Sequence, residues 1–190
     1  DQIRVRVEES PATVLLGTRQ VGKTTLAEMF CQGRSDVSWY DLETVRGFEA
    51  LQAMPEKTLG EKRGLVVLDE VQQMPQLFRI LRPLCDREGR PASFLLLGSA
   101  SPDLVRGVSE SLAGRVQFVH VPGLTCEEVG AEHQDRLWMR GGFPPAFLAG
   151  DDGAAARWRE GFVQTFVERD IPRLGLRVPA AALRRFWIMA

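Results

Sequence analysis

The chain has 190 residues, of which 44% are hydrophobic and 26% charged, the composition of one ordinary globular domain or of a domain with a small appendage. Its 24 basic and 25 acidic residues leave a net charge of −1, so no global basic field points to nucleic acid, although a local patch stays open. Cys31, Cys85 and Cys126 are odd in number and far apart, which predicts free thiols in a reducing cytoplasm; His120 and His133 have no metal spacing to them, and no apolar run approaches a membrane span or a secretory signal. The chain starts at Asp1 without Met and stops at Ala190 inside an apolar helical pattern, so a trimmed fragment is expected.

In chain order, residues 12–17 read as a buried strand feeding a helix over 23–32. Residues 37–42 read as a second strand ending on acid, and 44–53 as a helix closing near Pro55. A polar loop at 60–64 precedes a continuous apolar strand at 65–68. Leu77, Ile80, Leu81, Leu84 and Cys85 predict a helix within 75–88. Residues 94–98 form a fourth buried strand, 102–113 one or two short helices, and 116–121 a fifth strand ended by Pro122. Strands alternating with helices predict a parallel, doubly wound α/β sheet. After Pro122 no further buried strand appears. Short helices over 125–140, a break at Gly141–Pro145, a helix over about 154–174 and another opened by Pro179 predict a helical subdomain.

The run Gly17-Thr18-Arg19-Gln20-Val21-Gly22-Lys23-Thr24-Thr25 lies between the first strand and its helix. In that context Gly-x-x-x-x-Gly-Lys-Thr predicts a phosphate cradle. Loop N–H groups and the helix N-terminus face the anion, Lys23 supplies a mobile charge for the β- and γ-phosphates, and the Thr24 hydroxyl can ligate Mg²⁺. The third strand ends on Asp69-Glu70. Ligands in open α/β sheets bind beyond the C-terminal strand ends, so Asp69 is expected to hold Mg²⁺ and Glu70 to polarise the attacking water as general base. Gln72 could hydrogen-bond Glu70 or a phosphate oxygen, or cap the helix that follows. Ser99 ends the fourth strand. Two readings stay open for it, a γ-phosphate sensor or a cap on the next helix. Arg115, just before the fifth strand, reads as an arginine finger for a neighbouring subunit or as a solvated surface residue, with Arg106 competing for the role.

Five segments and a sixth follow in order: the phosphate-loop run, Leu68-Asp69-Glu70-Val71-Gln72, Leu97-Gly98-Ser99-Ala100, Leu112-Ala113-Gly114-Arg115, Gly141-Gly142-Phe143-Pro144 and Glu168-Arg169-Asp170-Ile171. Together they resemble a prokaryotic family of predicted ATPases in the AAA+ superfamily, in which the ATPase module is usually followed by a C-terminal domain of unknown function. The resemblance covers residues from about 12 to 190. It implies a five-stranded parallel sheet of AAA+ type over residues 1–122, with the Ser99 strand between the phosphate-loop and acid-pair strands, and a helical lid over 123–190. It further implies nucleotide and Mg²⁺ on Lys23 and Thr24, metal and water on Asp69 and Glu70, Ser99 as sensor and Arg115 as finger. Thr18 stands where the family often has Pro, a change the loop should tolerate. No lid arginine is evident; Arg140 and Arg157 are the candidates. Trp39, Trp158 and Trp187 are expected to pack in the core or lid, and Trp138 to pack or to shape the break at Gly141.

The expected function is therefore a cytoplasmic ATPase that binds Mg-ATP, hydrolyses it with Asp69 and Glu70, and drives conformational change on a protein or nucleic-acid partner. A homo-oligomer with the finger in trans is expected, and no membrane. The alternatives are a small-molecule kinase on the same loop, or a nucleotide-regulated binding module without efficient hydrolysis. The absence of an Asn-Lys-x-Asp string argues against a GTPase.

Overall fold

The computed structural model describes residues 2–173 and 178–189, without the side chains of Arg169, Arg173, Ala180, Arg184 and residues 187–189. Five parallel strands form one sheet: β1 (Ala12–Gly17), β2 (Val37–Asp41), β3 (Gly64–Asp69), β4 (Ala92–Ser99) and β5 (Val116–His120), in the order β2-β3-β4-β1-β5. The Ser99 strand thus lies between the phosphate-loop strand and the acid-pair strand, as expected. The three central strands are almost wholly buried, whereas β2 and β5 are half-exposed at the edges. This is why the central strands read as unbroken apolar runs: a parallel sheet covered on both faces has no polar side.

Successive side chains go to opposite faces. Val14, Leu16, Val66, Leu68, Phe94 and Leu96 meet helices α3 (Val45–Gln52), α4 (Pro55–Gly60), α5 (Leu77–Cys85) and α6 (Pro102–Ser111). Leu15, Val67, Leu95 and Leu97 meet α1 (Gln2–Glu9) and α2 (Lys23–Cys31). Each fully buried leucine contributes roughly 1.5–3 kcal/mol, and truncating one to Ala costs about 2–5 kcal/mol.

Two local departures from expectation have local causes. Helix α1 buries only Ile3 and Val7, one turn apart, so its apolar signal is thin. Helix α3 ends at Gln52, near Pro55 as expected, and Pro55 then starts a further helix, α4, because proline at the first helical position lacks only an N–H that would be orphaned there. Residues 102–111 form a single helix, within the one or two expected, capped by the Ser101 hydroxyl accepting from Leu104 N–H at 3.3 Å.

Contacts divide the chain into two compact units, residues 1–121 and 122–190. The second is helical: α7 (Cys126–Val129), α8 (Gln134–Arg140), α9 (Pro144–Phe147), α10 (Asp152–Thr165), α11 (Ile171–Arg173) and α12 (Ala180–Met189). Between α10 and α11 a π-helical turn, Phe166–Asp170, interrupts the single helix expected over 154–174. Trp158, Phe162 and Phe166 stack in series at 5.2 and 5.6 Å between ring centroids, with Phe143 tilted against Trp158 and Phe162 at 5.6 and 4.6 Å. Arg140 donates to Asp152 at 2.6 Å and to the Ala149 carbonyl at 2.5 Å, so it serves the packing of this unit. Trp138 is 89% exposed and packs into neither core nor break. The side chain of Trp187 lies outside the described residues.

Candidate functional site

The parallel register gathers the C-terminal strand ends along one edge. Gly17 pairs with Ser99, and Asp41 with Asp69. Leu68 pairs with Leu96, so Gly98 and Ser99 run on past the level of Asp69.

At Gly17 the chain leaves β1 through a space that no side chain could share. A Cβ there would lie 2.7 Å from the Val121 carbonyl oxygen and 2.8 Å from a Val21 methyl. The loop then needs left-handed backbone at Gln20 (φ 61°) and Gly22 (φ 98°) to turn into α2. Gly22 gives α2 no side-chain cap, which leaves its first-turn N–H groups for another acceptor. Lys23, the first residue of the helix, folds back so that Nζ donates to the carbonyls of Gly17 at 3.1 Å and Thr18 at 2.9 Å. Its side chain is buried. Desolvation lowers its pKa below the ordinary lysine value, opposed by the nearby Glu70 and Asp69 carboxylates.

At the next residue, the Thr24 hydroxyl donates to Asp69 Oδ2 at 2.9 Å. Asp69 Oδ1 accepts from the Glu70 N–H at 2.9 Å. Asp69 is only 4% exposed, and burial raises its carboxyl pKa above the usual range even though both hydrogen bonds favour the ionised form. A hydroxyl and a carboxylate oxygen held together at the phosphate loop are the hard oxygen donors that Mg²⁺ prefers. These two residues fit that ion, and the loop fits a polyphosphate.

Glu70 follows Asp69 with left-handed backbone, φ 52° and ψ 45°. Its carboxylate accepts a hydrogen bond from the Gln72 amide, the first of the contacts expected of Gln72, and among the described residues no side chain caps α5. Ser99 stands beside Gly17 at the same edge, and the cap on α6 comes from Ser101 instead. Arg19 reaches Glu43 Oε1 at 3.5 Å, a partner that sequence reasoning missed although Glu43 lies just past the acidic end of β2.

Arg115 does not join these groups. It precedes β5, at the opposite edge of the sheet from Gly17, about 17 Å of strand away. Its guanidinium grips Asp86 with two bonds, at 2.6 and 2.8 Å, and donates to the Ala113 carbonyl at 2.8 Å. Action on this chain's own loop is thereby excluded. Arg106 is exposed on α6, and the Glu168-Arg169-Asp170 segment lies on the π-helical turn.

This sheet order and strand–loop–helix define a P-loop NTPase. Residues 9–130 match the family described as AAA domain (AAA_14), and the chain belongs to that family. Residues 131–190 match a domain of unknown function (DUF8612). Uncharacterized proteins of Mycobacterium tuberculosis and Mycobacterium bovis are each 46% identical to it over 188 residues, covering 99% of this chain and 42% of their own length. The chain thus spans about two-fifths of the curated relatives it matches. Among solved structures, a Walker-type ATPase of Pyrococcus abyssi superposes with a TM-score of 0.61 at 17% identity, covering 94% of this chain and 74% of its own. The Saccharomyces cerevisiae Hsp104–ADP complex does so at 0.51 and 13% identity, covering 90% and 32%. Both share the fold. Among the described residues, no helix is long and apolar enough to cross a membrane.

Proposed function

We propose that this chain binds Mg-ATP on the Gly17–Thr25 loop and hydrolyses it, using the energy to change conformation against a macromolecular partner. The 2.9 Å bond from Thr24 to Asp69 carries this reading, because it joins the phosphate loop and the acid-pair strand at one point suited to a divalent ion. Thr18 to Thr25 cradle the phosphates, with Lys23 leaving its carbonyl partners for phosphate oxygens. Thr24 and Asp69 hold Mg²⁺, which when bound offsets charge on the phosphates. Glu70 takes the proton of the attacking water, and Ser99 contacts the phosphate end of the site. Residues 123–190 are the part expected to move.

A second reading has support from Arg115. Held by Asp86 at the far edge, it supplies no positive charge to its own site. A single copy would then bind ATP and turn it over slowly until a neighbouring copy brings Arg115 across, a contribution worth on the order of 10³–10⁵ in rate where such fingers act. Mg²⁺-dependent phosphate release from wild type and Glu70→Gln tests the main reading. The variant should keep nucleotide affinity and lose about 10²-fold in kcat; equal turnover in the two proteins removes Glu70 from the base role.

A further inference from the structure

Three unfavourable local features meet at Gln72. Glu70 holds a left-handed backbone, which costs a non-glycine residue roughly 1–2 kcal/mol. The Gln72 amide nitrogen donates to Glu70 Oε2, while its carbonyl Oε1 is buried and has no hydrogen-bond partner. An orphaned buried acceptor costs about 1–3 kcal/mol. That carbonyl rests against β4 where Gly98 has no side chain, and a Cβ at Gly98 would lie 2.9 Å from it. Packing accounts for Gly98, where a Cβ would also lie 2.5 Å from the buried Leu104 Cδ2, but not for the orphaned carbonyl or the left-handed Glu70. An apolar residue at position 72 would remove the orphan. Backbone strain and unsatisfied polar groups that cluster at one point mark a site where geometry serves chemistry.

We propose that Gln72 is the positioning residue for the general base: it fixes the Glu70 carboxylate by one oxygen and leaves the other for water. The glutamate side chain has three rotatable bonds and is only half-buried, so without the amide it would sample several rotamers, few of them productive. Gly98, one residue before Ser99, leaves space that both Leu104 and the Gln72 amide use. The base and the strand that carries Ser99 are therefore in register through the Gln72 side chain. The inference rests on Glu70 acting as general base.

The test is a double-mutant cycle in the full chain, with kcat read at saturating Mg-ATP and Kd read with a fluorescent ATP analogue. Gln72→Ala should lower kcat about tenfold with Kd changed less than twofold, and should cause no further loss in a Glu70→Gln background, because a residue acting through Glu70 has nothing left to position. Gln72→Glu keeps the size and sets a carboxylate against Glu70. It should lose at least as much kcat with Kd again kept, and it carries the test if the alanine variant does not fold. Unchanged or increased kcat, an equal loss in the Glu70→Gln background, or loss of nucleotide binding in both variants overturns the proposal. If Glu70→Gln alone turns over like wild type, the general-base reading falls and the inference with it. If Glu70→Gln is slow but Gln72→Ala is not, only the inference falls.

Discussion

The two edges of the sheet treat charge in opposite ways. At the C-terminal edge Lys23 and Asp69 are buried, both shifted toward their neutral forms by desolvation, and Gln20 and Glu70 hold left-handed backbone. At the N-terminal edge Arg115 and Asp86 sit partly in water in a two-bond pair, and Arg90 donates to the carbonyls of Val7 and Glu8 near the end of α1. Each partner there favours the charged form of the other: Asp86 is held below, and Arg115 above, its ordinary pKa. The first edge spends stability on groups arranged for a ligand, while the second ties chain segments together at little cost. Substitutions at the first edge should therefore have large functional effects, and removal of the Asp86–Arg115 pair at the second should change stability little.

The largest expected effect is at Lys23. Replacing it with methionine keeps the unbranched stem and removes the ammonium. Charge-assisted hydrogen bonds of the kind lysine gives a phosphate are worth about 1.5–3 kcal/mol. Affinity for a fluorescent ATP analogue should fall about 10- to 100-fold. Binding within threefold of wild type would mean that the loop holds phosphate by its backbone alone, and the contrast between the edges would lose its strongest member.

The apolar runs of β1, β3 and β4 made the sheet legible in the sequence, because burial on both faces leaves no polar position to confuse the period. The loop from Gly17 to Thr25 was legible because its glycines and lysine are tied to one backbone path. Pairings that depend on long-range packing were not. Asp86 lies 29 residues from Arg115, and Glu43 lies 24 from Arg19; nothing local connects either pair. Gln72 stayed ambiguous because a glutamine after a strand can cap a helix or reach a phosphate oxygen as well as an acid, and only the folded contact shows it on Glu70. Helix α1 escaped because two buried residues are too few to set a period.

A smaller effect, opposite in sign to most core mutations, is expected at Asp69. Its folded-state pKa is raised, so burial of the carboxylate costs nothing at a pH below the unfolded value and the cost grows as pH rises through the folded value. Asn at this position can still accept from the Glu70 N–H through its carbonyl, and it can donate to the Thr24 hydroxyl. Asp69→Asn should therefore raise Tm by a few degrees near neutral pH, with the gain shrinking toward about pH 3, while Mg²⁺-dependent turnover is lost. Thermal melts from pH 3 to 8 give the check. A variant less stable than wild type at pH 7 would mean that the two hydrogen bonds outweigh the burial cost.

The smallest effect belongs to the other edge. Asp86 and Arg115 form two short bonds, yet both side chains keep contact with solvent, and exposed pairs seldom contribute much however good their geometry. Asp86→Ala should change Tm by no more than about 2 °C at low salt and by less at 1 M salt, where screening has removed most of the attraction. The sign with pH is opposite to that at Asp69. A depressed carboxyl pKa contributes stability above the unfolded value and loses it as pH falls through the folded one, so wild type and variant should converge in acid. A Tm loss of 6 °C or more, insensitive to salt, would show that this pair behaves as a buried one. Arg115 would then be a structural clamp, and its movement to a neighbouring copy would cost too much to serve as a finger.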